Sequence, residues 1–356
     1  MASSSSSVAL PRIVLYHQTI HDRDGKHISI LPLITQPGIS VTHIIVAAIH
    51  INDDPNGLTL NDHAPADPRY ATLWAELRIA QASGIKVLGM LGGAAKGSYT
   101  RLDQDQDQDQ SLFEAYYAPV YNVIKERGLD GIDLDIEEAM SLGGVIRLID
   151  RIRADFGPDF LITLAPVAAA LLDVRRNLSG FDYEALEVMR GSQIAWYNTQ
   201  FYCGWGDASN PIMYEMIIAR GWAPEKVVIG LVTNAENGAG FVPWELLKAN
   251  LTLLKFQFSR FGGVMGWEYF NSSPGGKDKP WEWAQRMTSL LRAGEVAAIS
   301  EASTQDVSKA REEVIDMSKA SSTGAQVVDP DVGTTGDVPV PTDFDYFSDF
   351  SNGSDD

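Results

Sequence analysis

Eight times between residues 12 and 270, a short apolar, β-branched run gives way to a stretch with helical periodicity. That alternation restricts the fold more than any other feature. The strand candidates are RIVLYH (12–17), VTHIIVAAIHI (41–51), KVLGML (86–91), DGIDLDI (130–136), FLITLAP (160–166), IAWYNTQFY (194–202), KVVIGLV (226–232) and GGVMGWEYF (262–270). Between them lie amphipathic stretches such as RYATLWAELRIAQAS, LFEAYYAPVYNVIKERG and GVIRLIDRIRADFG. VPWELLKANLTLLKFQFSRFG is another, closing on a glycine of the kind that ends helices. Eight strand–helix units predict an α/β fold, a (β/α)8 TIM barrel over residues 10–294. A doubly wound sheet is the alternative, but no phosphate-type glycine loop follows the first strand.

Outside that span the composition changes. Residues 1–9 are serine-rich and expected to be disordered. Residues 295–356 hold 14 acidic and 3 basic side chains, and so carry 11 of the chain's 19 net negative charges. STQDVSKAREEVIDMSKA within it has a helical pattern; the rest is expected to be a disordered acidic tail in which DFDYFSDF is a candidate partner-binding segment. DQDQDQDQ (103–110) reads as a solvated surface loop. The net charge argues against nucleic acid or an anionic membrane as partner. The start lacks a basic, then apolar, leader pattern, and no apolar run is long enough to span a bilayer. The expectation is a monomer that is cytoplasmic or exported without a standard signal. With Cys203 as the one cysteine, no intrachain disulfide is available. The six histidines all fall at or before His63 without metal-ligand spacing, so neither a metal nor another cofactor is expected.

LDGIDLDIEE (129–138) places five carboxylates in ten residues. Residues two apart on a strand share a face, so Asp133, Asp135 and Glu137 point one way and Ile132, Leu134 and Ile136 the other. A barrel strand must present its apolar side to the helices. The three acids therefore face the interior and rise towards the C-terminal mouth, where barrel active sites lie. Carboxylates this close cannot all ionise cheaply, so at least one is held neutral. Glu137, the outermost, is then a natural proton donor, and the inner pair sets its charge environment.

The run DGIDLDIE resembles D-x-x-D-x-D-x-E, the signature of glycoside hydrolase family 18, the chitinases and endo-β-N-acetylglucosaminidases, and the resemblance extends over residues 10 to about 292. It implies Glu137 as general acid/base, with the substrate's 2-acetamido oxygen as nucleophile. It implies Asp135 as the group that orients the acetamido, Asp133 as its partner in sharing a proton, and Asp130 as structural. Glu138 points away from Glu137 and is not expected to be catalytic. YNTQFY is similar to the family's sixth strand, which assigns Tyr202 to the acetamido carbonyl and sets Gln200 beside it. GGVMGWEYF is similar to the eighth, which makes Trp267 the floor of the scissile subsite. KVLGMLGGAAKGSY resembles the third. Gly92 and Gly93 match there, but Met90 stands where the pattern has serine and cannot donate to an inner aspartate. Tyr16 either touches the inner aspartates or packs in the core. Trp205 either extends the cleft or packs its own loop. Cys203 replaces the Asp or Asn that commonly follows the tyrosine.

The resemblance thus implies a cofactor-independent, retaining hydrolase of β-1,4-linked N-acetylglucosamine glycans, most simply a chitinase. An enzyme cutting the N-glycan core is the first alternative and a chitin-binding lectin the second; the presence of Glu137 argues against the lectin. TNAENGAGFVPW (233–244) leaves no room for the extra α+β domain that deepens the cleft in some members, so a shallow, internally cutting cleft is expected.

Overall fold

The computed structural model describes residues 10–103 and 110–292. The N-terminal serines, most of the DQ repeat and the whole acidic tail, with its helical pattern and DFDYFSDF, lie outside the described residues. The strands are β1 (Arg12–His17), β2 (His43–His50), β3 (Thr59–Leu60), β4 (Lys86–Gly92), β5 (Gly131–Asp135), β6 (Leu161–Leu164), β7 (Trp196–Gln200), β8 (Val227–Val232) and β9 (Gly263–Trp267). All pair in parallel except β3, a two-residue antiparallel addition to the end of β2. The order runs β1-β9-β8-β7-β6-β5-β4-β2, and β1–β2 pairing closes the barrel. The chain is a (β/α)8 barrel, as its alternation predicts.

Period-two patterning splits the apolar core in two. Ile13, Leu15, Ile132, Leu134, Ile229 and Val264 join the layer beneath the helices. Val14, Ile45, Leu88, Met90, Trp196, Val228 and Met265 fill the barrel itself. A parallel sheet covered on both faces needs both sets apolar. Acids on the inner set of β5 are therefore a local breach of the rule.

The eight units are not equal. After β1 the helix is only Pro32–Thr35, and the long loop around it is held by two buried carboxylates. Glu76 on helix Ala71–Ala82 accepts from the Ser29 hydroxyl (2.7 Å) and the Ile30 amide (2.9 Å). Glu268, just past β9, accepts from the amides of Gln18 (3.0 Å) and Thr19 (2.8 Å) and from the Thr19 hydroxyl (2.8 Å). Such bonds replace the packing a full helix would have supplied. Elsewhere the boundaries follow ordinary capping. Ser141 caps helix Leu142–Phe156 by accepting from the Gly144 amide at 2.9 Å, and Gly157 ends it at φ +79°. Residues 233–243 link β8 to helix Trp244–Gln257 with only a 3-10 turn, so no domain is inserted there.

Candidate active site

Asp133 and Asp135 of β5, with Glu137 just beyond its end, stand in line on the inner side. Asp133 is fully buried, in register with Met90 on β4 and Thr163 on β6. Asp135 is buried one step higher, level with Gly92. Glu137 is half-buried, two residues beyond the end of β5 and so at the barrel mouth.

Each acid meets a different environment. Asp133 accepts three hydrogen bonds, from the Tyr16 hydroxyl (2.5 Å), the Thr163 hydroxyl (2.5 Å) and the Asn198 side-chain amide (2.9 Å). Burial raises its pKa and these donors oppose the rise. Asp135 is pushed well above the ordinary carboxylate range by burial first, then by the charges of Glu137 and Asp133. Its one donor among the described side chains is Gln200 Nε2, at a long 3.3 Å. The same Nε2 lies 3.0 Å from Glu137 Oε1 and 3.0 Å from the Ala165 carbonyl. Burial raises the Glu137 pKa, and the Gln200 bond holds it back. The geometry thus offers a half-open acid poised to hold a proton, and behind it a carboxyl that resists ionisation.

Around the acids the structure gathers most of the residues expected from the sequence. Tyr16 touches an inner aspartate and is not merely packed. Tyr202 is buried just past β7, and its pKa is raised by burial and by the nearby charges of Asp135 and Glu137. Trp267 ends β9 with its ring edge-on to Tyr16, centroids 5.4 Å apart, half-buried in the mouth. Gly92 and Gly93 adopt φ of +90° and +94°, and the Gly93 amide donates to the Asp135 carbonyl at 2.9 Å. A Cβ on Gly92 would stand 2.5 Å from that same carbonyl oxygen. Their visible work is to let β4 turn tightly over β5. Trp205 packs half-buried on the outer core, and its carbonyl accepts from the Ala169 amide at 2.9 Å. Of its two readings, the structure favours loop packing.

The remaining acids of the run are structural. Asp130 accepts from Gln81, from Lys86 and from the Val87 amide. Glu138 accepts from the amides of Gly97 and Tyr99 and the Thr100 hydroxyl, fixing the loop after β4. The Cys203 thiol has its pKa raised by burial, which opposes thiolate formation. Sequence reasoning missed Thr163 and Asn198. For Asn198 a signal was present, since Trp196, Asn198, Gln200 and Tyr202 share one parity; for Thr163 it lies only in the register of β6 on β5.

A proton-holding carboxyl at the mouth of a barrel, backed by buried acids and flanked by Tyr202 and Trp267, is the equipment of an acid–base glycosidase. The model of the glycosyl hydrolases family 18 matches residues 12–288, and the chain belongs to that family. The chain is similar in structure to a fungal endo-β-N-acetylglucosaminidase of the family, with 50% identity, TM-score 0.77, and 80% of this chain and 100% of that one covered. It is also similar to the chitinase ChiC from Aspergillus fumigatus, with 55% identity, TM-score 0.71, and coverage of 78% and 98%. Chitinase 2 of Rhizopus oligosporus is 29% identical over 209 residues, 54% of this chain but only 36% of that protein's length.

Proposed function

We propose that this chain cleaves β-1,4 linkages between N-acetylglucosamine residues in chitin or chito-oligosaccharides, internally and with retention of configuration. The observation that carries this reading is the inward line Asp133–Asp135–Glu137, in which burial favours a proton on Glu137 and on Asp135. Glu137 gives its proton to the glycosidic oxygen as the bond to C1 breaks. The acetamido oxygen of the same sugar forms the new bond to C1, giving an oxazolinium ion. Being tethered, it has already lost its translational freedom. Asp135 and Tyr202 hold the acetamido group, and Trp267 supports the sugar ring by stacking. Glu137, now a carboxylate, takes a proton from water. The hydroxyl adds to C1 from the side the leaving group left as the C1–O bond of the oxazolinium ion breaks and the acetamido group is restored, so the product is the β-anomer. Gln200 holds Glu137 in place throughout.

A second reading, hydrolysis of the chitobiose core of N-glycans, uses the same residues. It is supported by the 50% identity and full coverage of the fungal endo-β-N-acetylglucosaminidase. Incubation with chitin oligomers and with a high-mannose glycopeptide, followed by mass spectrometry, separates the two. Cleavage of the oligomers supports the first and release of the glycan the second. Proton NMR of the earliest product tests the chemistry. An initial α-anomer, or equal cleavage of cello-oligomers, which lack the acetamido group, would overturn it.

A further inference from the structure

The position that carries serine in the family pattern is Met90 here, buried beside Asp133 and without a donor to offer it. Asp133 nevertheless accepts three bonds, two of them from strands on its other side, β6 and β7. The bond from Asn198 has a further support. Trp196 Nε1 lies 2.8 Å from Asn198 Oδ1. An indole N–H can only donate, so the oxygen of the Asn198 amide must face Trp196. The nitrogen must then face Asp133 Oδ1, 2.9 Å away, and that oxygen is bound to accept. The Thr163 hydroxyl, 2.5 Å from the same oxygen, adds a second donor. A proton on Oδ1 would meet the Asn198 N–H, which cannot reverse, and would require the Thr163 hydroxyl to turn and accept.

We infer that Trp196, Asn198 and Thr163 are positioning residues that hold Asp133 as the anion and thereby place the proton of the aspartate pair on Asp135. They supply from β6 and β7 what the missing serine would supply from β4. The consequence for turnover rests on the function proposed above; the charge state of Asp133 does not.

Of the other groups around the pair among the described residues, Tyr16 is the one that adds to the stabilisation of the Asp133 anion. From β1, Tyr16 donates to Oδ2, but its hydroxyl can reverse and accept, so it does not dictate where the proton sits. From β5, the charges of Glu137 and Asp133 raise Asp135, which favours the proton of the pair on Asp135. Tyr99, Tyr183 and Tyr202 are buried nearby with raised pKa values and stay neutral. The Arg12 guanidinium lies over the Trp196 ring at 4.5 Å, and the His43 ring meets it at 4.5 Å with a tilt of 59°. Burial lowers the His43 pKa, so it adds no charge.

The test reads Asp133 directly. Aspartate is labelled at 13Cγ in the intact protein, and the Asp133 signal is identified by its loss in Asp133→Asn. Thr163→Val removes one donor, and Trp196→Phe frees the Asn198 amide to turn its oxygen towards the carboxylate. Each is expected to raise the pH at which the Asp133 signal titrates by about one unit, the size of one charge-assisted hydrogen bond. Thr163→Ser keeps the donor and is expected to leave the titration unchanged. The acid limb of kcat/KM on chito-oligomers is expected to move with the signal, whereas a merely structural role would lower the profile without shifting it. An Asp133 signal that titrates alike in wild type, Thr163→Val and Trp196→Phe overturns the inference, as does a protonated Asp133 in wild type at pH 6. If Thr163→Val does not fold, Trp196→Phe alone decides. Absence of turnover with a normal Asp133 titration would count against the proposed function and not against this relay.

Discussion

Gly92→Ala separates two costs that are usually measured together. Gly92 has φ +90°, a conformation that alanine adopts only with strain, and its new Cβ would lie 2.5 Å from the Asp135 carbonyl oxygen and 2.4 Å from Tyr99 Cε2. Neither neighbour retreats easily. The Asp135 oxygen accepts from the Gly93 amide, and the Tyr99 hydroxyl donates to the Leu91 carbonyl at 2.6 Å. Gly84 supplies the control, since it has nearly the same φ, +88°, with nothing within 4 Å of its Cβ position. Gly84→Ala therefore carries backbone strain alone, about 1–2 kcal/mol. Gly92→Ala adds overpacking of about 1–3 kcal/mol, for a total of roughly 2–5 kcal/mol. For a domain of this size that lowers Tm by roughly 5–15 °C, against a few degrees for Gly84→Ala. Urea denaturation followed by tryptophan fluorescence measures both. Equal losses would refute the steric part of the reasoning, and no loss in either would refute the backbone part.

Four further outcomes are expected. Glu137→Gln keeps the fold but lowers turnover of unactivated glycosides by about 10²–10⁴-fold, since the leaving oxygen loses its proton donor; steady-state kinetics measures it. Asp135→Asn also lowers the rate strongly. Because the folded-state pKa of Asp135 is raised, the acid costs stability as pH climbs above the unfolded carboxylate value of about 4, and the variant is expected to melt higher than wild type at pH 7 in calorimetry. Gln200→Leu removes a bond that lowers the Glu137 pKa, so the alkaline limb of kcat/KM moves to higher pH while kcat falls; an unmoved limb would sink that role. Deleting residues 300–356 leaves the cooperative melt and the activity nearly unchanged, because the last barrel helix, Glu282–Leu291, is complete before the cut.

What could be read without coordinates was whatever depends on local period. The barrel follows from eight alternations, and the inward acids from residue parity on one strand, because both are properties of neighbouring residues. The partners of those acids were harder. Thr163 and Asn198 lie 30 and 65 residues from Asp133; strand register sets Thr163 level with it, and Asn198 reaches it from two residues beyond Trp196, the register partner of Thr163. The loop after β1 was harder still. Glu76 and Glu268 clamp it from 46 and 250 residues away, with half of their bonds going to backbone amides, which carry no sequence signature. Strand ends were overrun by up to three residues because apolar loop residues such as Ile51 and Tyr269 are as buried as the strands they follow.

A barrel strand and its flanks can carry five acids between residues 130 and 138 because no two of those acids are treated alike. Asp130 and Glu138 face outward and spend their charge on amides, a lysine and one hydroxyl. Asp133 has lost all contact with solvent, but three donors stand in for water. Asp135 has almost no donors, and the lower-cost state for such a group is the neutral one. Glu137 keeps partial contact with solvent and a single amide donor. Moving a donor from Asp133 to Asp135 is expected to shift the proton of the inner pair towards Asp133. The chemistry of the site therefore resides less in the acids themselves than in the uneven supply of donors from β1, β6 and β7.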